Sequence, residues 1–238
     1  MKKQLQDHQA ERQRGLSRSN IRDLILGFQD GLVNTLGLVL GVASAVQSSQ
    51  IVLISGLVTT FAESVSMAAV AFTSTKAAHE FYESQLQREK HEIQEIPHLE
   101  VEEVRQIYHK KGFRGKQLES IVKKITSDKN LWLETMMAEE LKLYPGDYDS
   151  PLKSSFVVGM SAVVGSLIPV FPFFFLSVKS GMAFALIFSV ITLFIVGAVK
   201  AKLTIGNWKK SGLEMAVVGT LAALVGYIVG SLLGVVYT

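Results

Sequence analysis

The stretch MAVVGTLAALVGYIVGSLLGVVYT, residues Met215–Thr238, contains no charged side chain and decides the class of this protein. Two other stretches, Phe156–Val178 and Gly181–Val199, are also free of charge. A helix of about 20 apolar residues crosses the hydrocarbon core of a bilayer, which is roughly 30 Å thick. Each of the three stretches therefore predicts a transmembrane helix.

Two earlier stretches are similar in length but carry one acid each. Leu24–Val46 contains Asp30, and Ile51–Thr75 contains Glu63, with a short uncharged turn between them. The composition, 48% hydrophobic with a mean hydropathy of +0.30, is more apolar than is usual for a soluble domain of this size. We therefore predict an all-α integral membrane protein with five transmembrane helices, of which the first two form a hairpin.

Most of the charge lies in one block, residues 80–150. It holds 15 of the 21 acids and 11 of the 24 lysines and arginines, a net charge of −4 against +7 for the rest. The block is rich in Glu, Gln and Lys without strand-type alternation, which predicts a helical insert between the second and third spans. Thr75–His79 contains no stop signal, so the second span is expected to continue into the insert. The predicted regions are 1–79, 80–150 and 151–238.

The loop charges predict the orientation, because short cytoplasmic loops carry an excess of lysine and arginine. The N-terminal segment, the insert and the loop after the fourth span are basic or highly charged, whereas the turn Gln47–Gln50 is bare and Lys179 is alone. We therefore expect the N-terminus and the insert to be cytosolic and Thr238 to lie outside, in a cell or organellar membrane. The bases outside the insert that carry this argument are Lys2, Lys3, Arg12, Arg14, Arg18, Arg22, Lys200, Lys202, Lys209 and Lys210.

Several classes of site and partner are excluded. The chain has no cysteine, so it has no disulfide, thiolate metal site or cysteine nucleophile. Its bases flank apolar spans instead of forming a basic face interleaved with aromatics, which argues against a nucleic-acid partner. The polar N-terminus lacks the apolar core of a cleavable signal peptide. Membrane lipid is the expected surrounding partner.

Asp30 and Glu63 are the first candidates for chemistry. An acid at membrane depth costs about 2.5–3.5 kcal/mol even on lenient scales, so it is usually functional or paired, and neither span offers a basic partner. Met67 follows Glu63 by one helical turn, and a carboxylate beside a thioether suits a borderline cation such as Fe²⁺. The alternative for Met67 is simple packing. Asp30 lies near one end of its span and Glu63 near the middle, so we expect successive steps along a cation path.

The insert contains a second set of metal-ligand types. Pairs of glutamates are spaced to share a helix face, and two methionines lie one turn before another glutamate. The candidates are Glu89, Glu92, Glu100, Glu103, Met136, Met137 and Glu140. The competing interpretation is a solvated acidic face. Glu95 and His98 also have the spacing of di-iron carboxylate bundles, but Pro97 interrupts it and no second copy exists.

Small residues recur at four-residue spacing in two spans. Gly37 and Gly41 form one such pair, and Gly226, Gly230 and Gly234 form another series. This spacing lets membrane helices approach closely, either within one chain or between copies.

The run RDLILGFQDGLVN, Arg22–Asn34, resembles the first helix of the vacuolar iron transporter family, and Ser66-Met67-Ala68-Ala69 resembles its second-helix signature. The resemblance covers nearly the whole chain. It implies a homodimer that exchanges Fe²⁺ for protons and has a cytosolic metal-binding domain, with Asp30 and Met67 in translocation and the insert acids and methionines as the metal site. One departure is clear: the family glutamate of the second helix is replaced by Ala71, and Glu63 is its expected substitute two turns earlier.

The expected function is proton-coupled export of Fe²⁺, or of Mn²⁺, from the cytosol, with the metal as substrate and no organic cofactor. The ligand types do not rank Fe²⁺, Mn²⁺, Co²⁺ and Zn²⁺. Two alternatives stay open. One is a membrane-tethered di-iron oxidase that uses the insert, and the other is a cation channel with a regulatory metal domain.

Overall fold

The computed structural model describes residues 18–144, 150–203 and 206–237, and within them every regular element is helical. The helices are α1 (Arg18–Ala45), α2 (Ser49–Glu95), α3 (Pro97–Lys110), α4 (Gly115–Thr126), α5 (Lys129–Glu139), α6 (Pro151–Val170), α7 (Val178–Leu203) and α8 (Trp208–Tyr237), with a 3₁₀ turn at Phe171–Phe174. The predicted all-α class is confirmed. Lys2, Lys3, Arg12, Arg14 and Thr238, which entered the orientation argument, lie outside the described residues.

Five of the described helices are long and apolar enough to cross a membrane, as predicted. They contain the segments Asn20–Ala45, Ser49–Glu95, Pro151–Phe174, Val178–Leu203 and Trp208–Leu233. The first span begins one turn earlier than Leu24. Its extra turn includes Arg22 and Asp23, whose side chains form an ion pair at 3.0 Å and so offset each other's charge.

Helix α2 continues without interruption for 47 residues, from Ser49 to Glu95. This confirms that the second span has no stop at Thr75–His79. The chain divides into two compact units. The membrane unit comprises residues 1–72 and 152–238, and the insert unit comprises Thr73–Pro151.

Glycines bring the helices of the membrane unit into backbone contact. A Cβ atom on Gly27 would overlap the carbonyl oxygen of Val158 in α6, and one on Gly165 would overlap that of Phe28 in α1. A second close contact joins α1 and α8. It is formed by Gly37 and Gly41 of α1 and by Gly226 and Gly230 of α8. The predicted close approach at these glycines is thus a contact within one chain.

The apolar core of the membrane unit surrounds the second half of α1. Leu36, Val39 and Leu40 are fully buried or nearly so, and they pack with Val52 of α2 and Phe173 of the 3₁₀ turn. Pro169 and Pro172 end the regular part of α6, because proline removes the amide that would continue the helical bonding. This packing determines which face of α1 is buried in the core, and therefore on which side of the helix Asp30 lies.

The insert unit has an apolar core of its own. Val104 of α3, Val122 of α4 and Trp132 of α5 pack against Ile93, near the end of α2. The break between α3 and α4 is made at Gly112 and Gly115, whose φ angles of 102° and 54° favour glycine. Helix α5 starts on Asp128, whose carboxylate accepts hydrogen bonds from the amides of Asn130 and Leu131.

Candidate metal sites

Two polar side chains meet across the helical hairpin inside the membrane unit. The Asn34 amide of α1 donates a hydrogen bond of 2.5 Å to Oε1 of Glu63 in α2. The Asp30 carboxyl, one turn before Asn34, also lies beside Glu63 and interacts with it electrostatically. The structure therefore brings the two intramembrane acids into one site, whereas the sequence had suggested separate steps along a path.

The second oxygen of Glu63 is free to take another ligand. Oε2 is buried and makes no hydrogen bond of normal geometry, and Thr35 and Asp30 both interact with the Glu63 carboxyl group. A buried oxygen without a partner is costly, because the desolvation of the group is not repaid. Met67 lies one turn further along α2 and is partly buried. Asp30 and Asn34 are thus one turn apart on α1, and Glu63 and Met67 are one turn apart on α2.

Ala71 is the residue that the sequence resemblance sets in place of a family glutamate. It is buried, with 7% of its surface exposed. A methyl group there offers no ligand to a cation. The acid of α2 that lies against α1 is Glu63, two turns earlier.

Asp23 is a buried acid that sequence reasoning did not select. It is 2% exposed and accepts a hydrogen bond of 2.5 Å from Ser154 Oγ of α6, in addition to the ion pair with Arg22. Its carboxylate is therefore satisfied, and it ties the start of α1 to the start of α6. The adjacent arginine and aspartate at the edge of a span could have drawn attention to Asp23. Its serine partner could not have been identified, because it is 131 residues away in the sequence.

The insert unit gathers five glutamates from three helices. Glu89 of α2 and Glu100 of α3 are each only 3% exposed, and their carboxyl groups lie against each other. Glu140, just after α5, lies against Glu103 and close to Glu92. One oxygen on each of Glu89 and Glu100 is buried without a hydrogen bond.

Burial and mutual repulsion raise the pKa of three of these acids, Glu89, Glu100 and Glu140. Desolvation, followed by the neighbouring Glu100, raises the pKa of Glu89 to about 8. Desolvation and then Glu103 raise the pKa of Glu140 to about 7, and desolvation also raises the pKa of Glu100. A cation placed among such groups would favour their ionised form, so metal binding would release protons.

Several other acids of the insert unit are paired with cations. Arg105 pairs with Glu102 and Glu119, and Lys111 and Lys142 pair with Glu139. In the five-glutamate cluster, the ion pair that the structure shows is Arg88 with Glu92, at 3.0 Å. The cluster therefore carries more potential negative charge than its cations balance.

The remaining insert candidates are placed less favourably. Met136 is fully buried in the apolar core with Ile93 and Trp132, and Met137 is 2% exposed but is not part of that core. Glu95 and His98 are both exposed and lie on different helices, separated by Ile96.

Over residues 18–144, 150–203 and 206–237, no three histidine, aspartate or glutamate side chains are already arranged to hold a metal ion. Metal binding would require the carboxylates of the cluster to draw together as their protons leave.

Comparison with known proteins adds an independent observation. A family model described as the VIT family matches residues 21–231. The vacuolar iron transporter 1 of Eucalyptus grandis is 31% identical over 204 residues, which cover 85% of this chain and 82% of that protein. The vacuolar iron transporter of Toxoplasma gondii is 34% identical over 240 residues, covering 97% of this chain and 79% of that protein. The vacuolar iron transporter 1 of Arabidopsis thaliana is 29% identical over 204 residues, 85% of this chain and 82% of its own length.

Proposed function

Because the chain belongs to the vacuolar iron transporter (VIT) family, we propose that it carries Fe²⁺, with Mn²⁺ as a further substrate, out of the cytosol in exchange for protons. Membership in this family makes it a transporter and not an enzyme, so the di-iron oxidase alternative is set aside. The observation that carries the proposal is the pair of acids, Asp30 and Glu63, which meet inside the membrane unit.

The pair provides a physical basis for exchange. Two neighbouring carboxylates in a low-dielectric site bind a divalent cation when ionised, and they repel each other strongly when the cation leaves. Proton uptake relieves that repulsion, and the next cation must displace the protons because metal ligands are deprotonated. Asp30 and Glu63 are the alternating binding groups, and Met67 adds a thioether that favours Fe²⁺ over Mg²⁺.

The five-glutamate cluster of the insert unit serves to collect metal on the cytosolic side. Its members Glu89, Glu92, Glu100, Glu103 and Glu140 supply oxygen ligands, and Met137 is the better placed of the two methionines to add sulfur, because Met136 is enclosed in the apolar core. Once they are deprotonated, these carboxylates attract cations to the cluster.

A homodimer would complete the membrane unit. Asn34 is exposed and Asp30 and Glu63 are only partly buried, although all three lie within candidate spans. Polar groups facing lipid lose hydrogen bonds to water at a cost of several kcal/mol. A second copy that covers this face would remove the cost. Light scattering of the detergent-solubilised protein measures its mass, and full transport by a monomer would contradict the dimer.

The direct test of the function is uptake into proteoliposomes with an imposed pH gradient. Fe²⁺ is expected to accumulate when the interior is acidic and to release protons from it as it enters. Mn²⁺, Co²⁺ and Zn²⁺ are compared under the same gradient. If metal equilibrates but never accumulates, whatever the pH gradient, then the protein is a cation channel and the exchange proposal is wrong.

The orientation is tested by single cysteines, which are unique because the chain has none of its own. A membrane-impermeant maleimide is expected to react with Ser120→Cys and Asn207→Cys only from the cytosolic side. Gln50→Cys should react only from the opposite side; this exposed position is preferred to Ser49, whose hydroxyl donates to the Leu176 carbonyl. Labelling of residues 50 and 120 from the same side would rule out the proposed topology.

Removal of the insert acids is expected to weaken metal binding. The combined change Glu100→Gln, Glu103→Gln and Glu140→Gln keeps side-chain volume but removes three ionisable carboxyl groups of the cluster. Loss of a residue that only supports a metal ligand typically costs roughly 10- to 100-fold in affinity, so loss of three proposed ligands should cost at least as much. Calorimetric titration of the full-length protein with Mn²⁺ measures it. The control is the same change at the cation-paired acids Glu102, Glu119 and Glu139. Equal affinity for Mn²⁺ in both triple variants would show that the cluster is a solvated acidic face and not a metal site.

The raised pKa of Glu89 predicts a pH dependence of stability. A carboxyl that titrates near 4.5 when unfolded and near 8 when folded favours the native state below about pH 4.5. That contribution is lost as pH rises through 8, because burial then opposes ionisation. We expect the metal-free protein to lose thermal stability between pH 5 and 8.5, and Glu89→Gln to be the more stable protein at pH 8.5 but not at pH 5. Parallel melting curves for the two proteins at both values would contradict this.

A further inference from the structure

A cavity of about 480 Å³ opens on the surface of the membrane unit between α7 and α8, with Leu40 of α1 at its base. Each of the two helices lines it with a stripe at i, i+3, i+4 and i+7. The stripes are Lys179, Met182, Ala183 and Leu186 of α7, and Thr220, Ala223, Leu224 and Tyr227 of α8. This regular spacing makes the cavity a groove that follows the helices along the bilayer.

The groove is polar at one end only. Helices α7 and α8 pack together and are joined by a short connection, so they run antiparallel. Lys179 opens the α7 stripe and Tyr227 closes the α8 stripe, which places both toward the same end. Thr220, near the other end, is already bonded to the Ala216 carbonyl at 2.8 Å. The rest of the wall is alkyl side chain.

Lys179 is a cation that lacks a protein anion. It is exposed, and it takes part in none of the ion pairs found among the described residues. It lies in the first turn of α7, where the amides of the helix end add a partial positive charge. A charged group in the first turn of a span needs an anion or water at the edge of the bilayer.

We infer that this groove binds one phospholipid with an anionic headgroup, its phosphate on Lys179 and Tyr227 and an acyl chain along Leu186, Ala223 and Leu224. Charge complementarity favours a lipid as the occupant: the apolar wall accommodates a hydrocarbon chain, and the single cation at its end attracts an anion at headgroup depth. The site is separate from Asp30 and Glu63 and does not depend on the proposed exchange of metal and protons.

Native mass spectrometry of the detergent-solubilised protein tests the inference, with phosphatidylglycerol and phosphatidylcholine of identical chains as probes. We expect one phosphatidylglycerol to be retained at least about fivefold more tightly than phosphatidylcholine, and inorganic phosphate not to displace it. Lys179→Gln should reduce phosphatidylglycerol to the level of phosphatidylcholine. Leu224→Trp, which fills the groove, should lose both lipids, whereas Leu221→Trp, an exposed position that does not line the groove, should retain them.

Three results would overturn the inference. Undiminished retention of phosphatidylglycerol by both Lys179→Gln and Leu224→Trp would place the lipid elsewhere. A drop in oligomeric mass on Leu224→Trp, with no change in bound lipid, would make the groove a contact between copies of the chain. Displacement of the bound lipid by inorganic phosphate would assign the cationic end to a free anion.

Discussion

Fe²⁺ uptake by the Asp30→Asn variant is expected to fall at least roughly 10- to 100-fold, because even the loss of a residue that only supports a metal ligand has an effect of that size. Asparagine keeps the size and hydrogen bonding of the side chain but carries no charge and does not titrate. Asp30 lies beside Glu63, so the change removes one of two anions that would face the cation. It also removes one of two groups that would accept a proton when the cation leaves. Initial rates of metal uptake and of proton release in the same proteoliposomes measure both losses.

The partner and control variants sharpen this test. Glu63→Gln should have an effect of similar size, because Glu63 is the acid of α2 that meets Asp30 across the hairpin. Glu214→Gln, at an exposed acid that pairs with Lys210 at 3.9 Å, should leave transport unchanged. Exchange at the normal rate in Asp30→Asn would show that the proposed path is wrong. Metal flux without proton movement would assign Asp30 to coupling and not to passage.

The five spans were predictable because a run of about 20 apolar residues without charge is rare outside transmembrane helices. The extension of α2 to Glu95 was predictable for a related reason, since no glycine or proline stops the helix. The start of the first span was placed one turn late. The error arose at Arg22 and Asp23, which count as two charges in the sequence but neutralise each other in the structure.

The sequence provided candidate residue types for the site but not their geometry. Helical spacing shows which residues of one helix share a face, but not which residue of the next helix lies opposite. The pairing of Asp30 with Glu63 depends on the offset between α1 and α2, which is set by packing at Leu36, Val39 and Val52. The burial of Glu89 and Glu100 likewise depends on how three helices close over Ile93. Spacing alone favoured a solvated face there, and only the family resemblance favoured a metal site.

Close packing of α1 against α8 predicts a second large effect, on stability. A Cβ atom on Gly226 or Gly230 would overlap the carbonyl oxygen of Gly37 or Gly41, which are backbone atoms that cannot rotate away. Forcing extra atoms into a packed interface typically costs about 1–3 kcal/mol. We expect Gly226→Ala and Gly230→Ala to lower the melting temperature in detergent by roughly 3–10 °C, given 2–4 °C for each kcal/mol in a chain of this length.

The same substitution elsewhere provides a graded control. A Cβ on Gly41 would lie 2.8 Å from the Gly226 oxygen, and one on Gly37 would lie 3.2 Å from the Ala222 oxygen, so Gly41→Ala should cost more than Gly37→Ala. Gly219→Ala adds the same atom to α8, but it meets only the end of the Leu193 side chain, which can change rotamer. It should therefore melt close to the unmodified protein. Equal melting temperatures for Gly226→Ala and Gly219→Ala would mean that a rigid backbone contact and a flexible side-chain contact cost the same. The glycine contact between α1 and α8 would then not stabilise the membrane unit.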